Sequence, residues 1–285
     1  MIEIRNLDFS YKKTPVFNDI NLTFPQGAIY GLLGENGVGK TTLLKIICGL
    51  QRPVKGTCTV DGKTSHDRLP EMLQRIVFLP DEVTLPDNST PQKYVGELAP
   101  FHPTFSQGSF LHLMQELEVE PERKFREMSF GQQKKSLIAA TLSLGTDYIL
   151  LDEPTNGLDI PSKAQFRSIL SKIADEGKTI IISTHQVKDV ENLIDPIVIL
   201  SHNAVLLDAS VQKITEKLYF EYGGEAREDA LYSELMPAGY MNVVPNPGLG
   251  VATEGSNAQY ESQLNIEALF NAVLRNKNRI NELFK

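Results

Sequence analysis

At 285 residues the chain has room for one large domain, or for one main domain with a small appendage. Hydrophobic residues make up 41% and charged residues 22%, an ordinary globular composition that excludes a disordered, collagen-like or coiled-coil chain. Lys plus Arg number 28 against 36 Asp plus Glu, a formal net charge of −8, and the pI of 5.3 predicts no broad attraction to nucleic acid or anionic lipid. No nucleic-acid partner is expected, and any phosphate site must be local.

The two cysteines, Cys48 and Cys58, lack metal-ligand spacing and are too few for a disulfide framework, so a reducing cytosolic compartment is expected. The opening run MIEIRNLDFSY alternates like a strand and lacks the basic and apolar regions of a secretory signal. Apolar runs such as Ile180–Ile182 and Ile197–Leu200 are the size of buried strands, far below the roughly 18–20 residues that span a bilayer. If a membrane is involved, another chain provides it.

From Met1 to about Asp61, short β-rich runs are broken by turns, and Ala28–Leu33 runs straight into a glycine cluster. Thr41 to Leu50 then places Leu43, Leu44, Ile46 and Ile47 at helical spacing and stops at Gly49. Five prolines between positions 80 and 103 mark a change of organisation, read as an inserted helical subdomain over about 82–128. Within it, Phe110, Leu113, Met114 and Leu117 recur at i, i+3, i+4 and i+7, predicting an amphipathic packing helix from about Phe105 to Glu118.

Beyond Met128 the pattern predicts helix (Gly131–Leu144), strand (Tyr148–Leu151), helix (Ser162–Asp175), strand (Thr179–Ser183), helix (Val187–Leu193) and strand (Ile197–Leu200). Apolar strands alternating with helices mean a mostly parallel sheet covered on both faces. Near Tyr222 the character shifts to an acidic stretch with a Pro/Gly-rich segment at 243–250, followed by one helix-like run, Ile266–Phe284. Residues 222–285 are read as a small α+β accessory domain, with Tyr219, Tyr222, Tyr232, Tyr240 and Tyr260 as anchors of its core.

Gly34-Glu35-Asn36-Gly37-Val38-Gly39-Lys40-Thr41 fits G-x-x-x-x-G-K-[ST] between a strand and a helix, which predicts a P-loop NTPase of the α/β class. The glycines turn successive N–H groups toward phosphate oxygens, and the helix N-terminus adds partial positive charge. Lys40 reaches the β- and γ-phosphates of ATP, the Thr41 hydroxyl ligates Mg²⁺, and Thr42 contacts the next phosphate inward. Tyr148–Leu151 ends in Asp152 and Glu153, placing Asp152 to hold the Mg²⁺ shell and Glu153 to act as general base.

Met128-Ser129-Phe130-Gly131-Gln132 opens the next helix, with Ser129 as N-cap and Gln132 completing a capping box. With the two motifs above, this run resembles the LSGGQ signature of ATP-binding cassette (ABC) ATPases. The resemblance covers residues 1–210 and implies further roles there. Tyr11 resembles the aromatic that stacks on adenine, Asn156-Gly157-Leu158-Asp159 the D-loop, and His185 the switch histidine that contacts the γ-phosphate. It also implies that Ser129, Gly131 and Gln132 meet the γ-phosphate of ATP held by an opposite subunit.

Two positions depart from the pattern. Asp81 stands at the place of the Q-loop glutamine, where a carboxylate could ligate Mg²⁺ directly, and Phe130 replaces the first signature glycine. The resemblance implies a head-to-tail dimer around two ATP molecules, a homodimer favoured because both halves of the site look intact. It further implies an ATPase subunit on the cytosolic face of the membrane, driving a separately encoded permease, with bacterial ABC-2-type exporters as the nearest likeness. The alternative is a soluble non-transport ABC ATPase such as an iron–sulfur assembly scaffold component.

Overall fold

Alternating apolar residues give the first two strands one buried face. In the computed structural model, which describes residues 1–246 and 263–284, β1 (Ile2–Tyr11) and β2 (Thr14–Phe24) form an antiparallel hairpin. Ile2, Ile4, Leu7 and Phe9 from β1 meet Phe17, Ile20, Leu22 and Phe24 from β2 in the core. The chain leaves this layer for β3 (Ile29–Leu33) and α1 (Lys40–Ile47), then returns as β4 (Lys55–Val60) and β5 (Lys63–Thr64). The resulting sheet has the order β2-β1-β4-β5, the expected N-terminal antiparallel subdomain.

A short helix α2 (Pro70–Leu73) leads into β6 (Ile76–Leu79), after which come α3 (Pro91–Leu98), α4 (Gln107–Glu116) and α5 (Phe130–Ser143). The expected helical insertion is present, its prolines confining it to short helices; Pro91 starts α3 behind the Thr90 cap. Then follow β7 (Tyr148–Asp152), α6 (Ile160–Ala174), β8 (Thr179–Thr184), β9 (Ile197–Ser201) and β10 (Ala204–Ala209). The second sheet runs β10-β9-β3-β8-β7-β6, parallel throughout except for β10.

Every residue of β3, β7, β8 and β9 is buried, as a sheet covered on both faces requires. The strand repeat sorts their side chains: Tyr148 and Leu150 join the antiparallel sheet and α1 on one side. Ile149 and Leu151 pack with the helices on the other. The C-terminal ends of β3, β7 and β8 lie side by side, and chemistry at such an edge is a property of this topology.

The C-terminal part contains α7 (Val211–Lys217), β11 (Leu218–Gly223), β12 (Tyr232–Met236), β13 (Gly239–Pro245), α8 (Ile266–Arg275) and α9 (Lys277–Phe284). Its sheet has the order β11-β13-β12 and is antiparallel. A division at 222 would cut β11, whose Leu218 and Phe220 are already buried in the core shared with the parallel sheet. Of the candidate tyrosine anchors, Tyr232 is buried, Tyr219 and Tyr240 are half-buried and Tyr222 is exposed. Tyr260 and the 247–250 part of the Pro/Gly-rich segment lie outside the described residues.

Two expected helices are corrected. Over Val187–Leu193 only a single turn, Val187–Asp189, forms. Val190 leaves helical geometry at φ −126° and is buried, and Glu191 turns its carboxylate to accept the Ile266 N–H at the start of α8. The run Ile266–Phe284 is broken at Asn276, whose side-chain amide donates to the Leu231 carbonyl, so α9 turns and buries Ile280. No helix among the described residues is long and apolar enough to cross a membrane.

Because Leu269 of α8 is fully buried in the core shared with the parallel sheet, Leu269→Ala is expected to destabilise the protein by about 2–5 kcal/mol. Calorimetry should register this as one unfolding transition moving to lower temperature. Two separate transitions, with only the minor one shifted, would mean that the C-terminal part folds apart.

Candidate functional site

The loop leaving β3 is shaped by Gly39, at φ +108°, where an added Cβ would fall 2.7 Å from both Val16 and Phe17 of β2. Gly39 is also the N-cap of α1 and supplies no side-chain hydrogen bond, and the first helical turn has no acidic residue. The N–H groups there stay available to an anion, with the helix dipole adding favourable potential.

Lys40 begins that helix and folds back. Its Nζ donates to the carbonyls of Gly34 (2.8 Å) and Glu35 (3.2 Å) and stands 3.7 Å from Glu153 Oε1. Both side chains are at least nine-tenths buried, with 7% of Lys40 and 10% of Glu153 exposed. Burial pushes the Lys40 ammonium below its ordinary pKa, while Glu153 and Asp152 pull it back up.

Asp152 ends β7 and accepts from the Thr41 hydroxyl at 2.6 Å through Oδ2 and from Ser183 through Oδ1. Glu153 follows in the left-handed region, at φ +45°, with its N–H donating to Ser183 O at 2.9 Å. That turn aims its carboxylate across the end of β8. Oε2 accepts from the Thr184 hydroxyl (3.0 Å), and Oε1 accepts from the His185 N–H (3.1 Å) and contacts His185 Nδ1 (2.7 Å). A carboxylate steered by three contacts from two neighbours, beside a buried ammonium, can orient and deprotonate a water.

These groups open onto a cleft of about 440 Å³. It gathers Tyr11, Asn36, Gly37, Gly39, Lys40, Thr41, Thr42, Asp81, Asp152 and Glu153 from the sequence-predicted set. Tyr11 is 44% exposed, its ring in a T-shaped contact with that of Phe9 and its hydroxyl 3.3 Å from that of Thr42. Gly34 and Val38 are buried beneath the loop, Glu35 offers only its carbonyl, and His185 stands behind Glu153. Thr14 and Val16 also line the cleft and were not anticipated; their place beside Tyr11 in the hairpin was the available signal.

Ser129, Gly131, Gln132 and Asp159 lie elsewhere, around a second groove of about 200 Å³. The capping box is formed as expected: Gln132 N–H donates to Ser129 Oγ (3.3 Å) and Ser129 N–H to Gln132 Oε1 (3.0 Å). Asp159 caps α6 through the Ser162 N–H at 2.9 Å, and its hydrogen bonds from Ser162 hold its carboxyl below the usual range. Phe130 lays its ring over Gly157, where a Cβ would come within 2.3 Å of Phe130 Cε1, so its bulk leaves the groove open.

A family model described as ABC transporter matches residues 17–156. An uncharacterized ABC transporter ATP-binding protein, MJ1023, of Methanocaldococcus jannaschii is 32% identical over 224 residues, 78% of this chain and 82% of its own length. The bacitracin transport ATP-binding protein BcrA of Enterococcus faecalis is 30% identical over 76% of this chain and 71% of its own. The chain belongs to the ABC transporter ATP-binding family. A solved dimeric structure of MJ0796, a bacterial ABC transporter cassette, aligns with a TM-score of 0.65 at 25% identity, over 74% of this chain and 99% of its own. The cassette is an ATP-binding, ATP-hydrolysing subunit, and the P-loop NTPase architecture read from the motifs stands.

Replacing Lys40 by Ala removes the buried cation that touches both the loop carbonyls and Glu153. Titration with a fluorescent ATP analogue is expected to show an affinity lower by roughly 100-fold or more, the scale of a broken buried charge pair.

Proposed function

We propose that the chain powers an exporter: two copies close head to tail around two ATP molecules on the cytosolic face of a separately encoded membrane permease. The observation that carries this reading is the separation of the two grooves. One chain owns a P-loop cleft and a signature groove that share no lining residue, so the second groove is available to another copy's nucleotide. Both being well formed supports a homodimer. Phe130 and Ile160, large apolar side chains left open to solvent beside the signature groove, support a protein partner on that face.

Within this reading the loop N–H groups and Lys40 hold the phosphates, and Tyr11 stacks on adenine. Glu153, fixed by Thr184 and His185, takes the proton of the water that attacks the γ-phosphorus as the bond to the bridging oxygen breaks, giving ADP and phosphate. His185, Ser129, Gly131, Gln132 and Asp159 complete the site between copies. Thr41 Oγ1 and Asp152 Oδ2, hard oxygen donors 2.6 Å apart, fit a Mg²⁺ site, with Asp81 on the same cleft. The ion would neutralise phosphate charge. A relative named for bacitracin transport favours transport over the assembly-scaffold alternative.

Glu153→Gln should keep ATP bound while turnover falls about 10²–10⁴-fold, the worth of a general base. Purified from its native membranes in mild detergent with ATP, this variant should bring down a multi-span protein at fixed stoichiometry. Recovery of soluble chains alone, with the bait absent from membranes, would overturn the transporter reading and leave the ATP site untouched.

A further inference from the structure

Lys134 lies on α5, five residues beyond Ser129, with only 2% of its side chain exposed. A lysine is rarely buried so far without an anionic partner. Its Nζ donates to the Asp81 backbone carbonyl at 2.8 Å and stands 3.6 Å from Asp81 Oδ1. The same Oδ1 accepts from Asn156 Nδ2 at 3.1 Å, and Asn156 Oδ1 accepts from Gln186 Nε2 at 3.1 Å. Thus Asp81, just past β6, is tied directly to the signature helix and to the turn after β7, and through Asn156 to the residue after His185.

The electrostatics explain why a carboxylate is tolerated there. Asp81 borders the cleft that holds Thr41, Asp152 and Glu153, and a third lone carboxylate would repel an incoming polyphosphate. While the Asp81 carboxylate stays 39% exposed on the cleft side, Lys134, itself buried, offsets that charge from behind. Its burial pushes the ammonium below its ordinary pKa, with Asp81 pulling it back up more than Asp152 or Glu153 does.

We propose that Lys134 is a positioning residue for nucleotide binding that acts through Asp81: the two form one ion pair that faces the phosphates as a neutral unit and fastens the signature helix to the edge of the nucleotide cleft. This rests on the proposed placement of the nucleotide in that cleft, and not on Asp81 being a metal ligand.

A double-mutant cycle on the full chain tests it, with a fluorescent ATP analogue titrated in EDTA and again with Mg²⁺. In EDTA, Lys134→Gln is expected to weaken binding at least fivefold, because Asp81 is left uncompensated. In an Asp81→Asn background the same change should alter affinity less than twofold. Lys134→Met, which keeps the stem without the charge, should reproduce both results if the glutamine variant folds poorly. Equal weakening in both backgrounds, or a lowered melting temperature with unchanged affinity, would overturn the proposal, since either means that Lys134 acts independently of Asp81 or only as packing. The Mg²⁺ series is a separate reading: unchanged Mg²⁺ dependence in Asp81→Asn removes Asp81 from the metal while the EDTA cycle still decides the role of Lys134.

Discussion

An ammonium group taken out of water has to be surrounded by oxygen, and Lys40 meets that requirement with two loop carbonyls and the Glu153 carboxylate. Those oxygens are placed by two different parts of the fold: the carbonyls by β3 and the Gly39 turn, the carboxylate by the end of β7 and the left-handed backbone of Glu153 itself. Bringing the two together requires neighbouring parallel strands that end at the same level. β8 lies between β3 and β7, and its last two residues, Ser183 and Thr184, with His185 just beyond, hold Asp152 and Glu153 in place. The cation therefore reports on the whole sheet, since a slip of any of these strands would strand a buried charge.

This is why so much of the site was legible in the amino-acid sequence. Phosphate cradling constrains the backbone, and Gly39 at φ +108° against Val16 and Phe17 is a position that only glycine fills without strain. The pair Asp152-Glu153 was readable because a buried apolar strand delivers whatever follows it to the sheet edge, and carboxylates delivered beside a phosphate loop suit a metal and a water. Ser129 and Gln132 were readable because a capping box is local chemistry, complete within four residues.

What was not legible depends on contacts made across the fold. Val187–Leu193 has helical spacing, yet Val190 and Glu191 are claimed by the core and by α8, which nothing within the segment announces. Asn276 sits in a helix-like run and commits its side chain to the residue just before β12, 45 positions earlier. Lys134 lies near the polar start of α5, where solvent exposure is the ordinary fate of a lysine. Its carboxylate partner is 53 positions away, and only the fold places the two together.

The parallel sheet also separates two territories. Along β7, Tyr148 and Leu150 belong to the layer that supports the phosphate loop, whereas Ile149 and Leu151 belong to the layer of helices. The two layers meet through strands whose own residues are all buried, and side chains on one face of β7 or β8 pack with one layer and not with the other. Such a lamina lets residues be exchanged among the helices without replacing any side chain of the floor beneath the P-loop. One ATP-handling edge can in this way serve many assemblies with little alteration of its own.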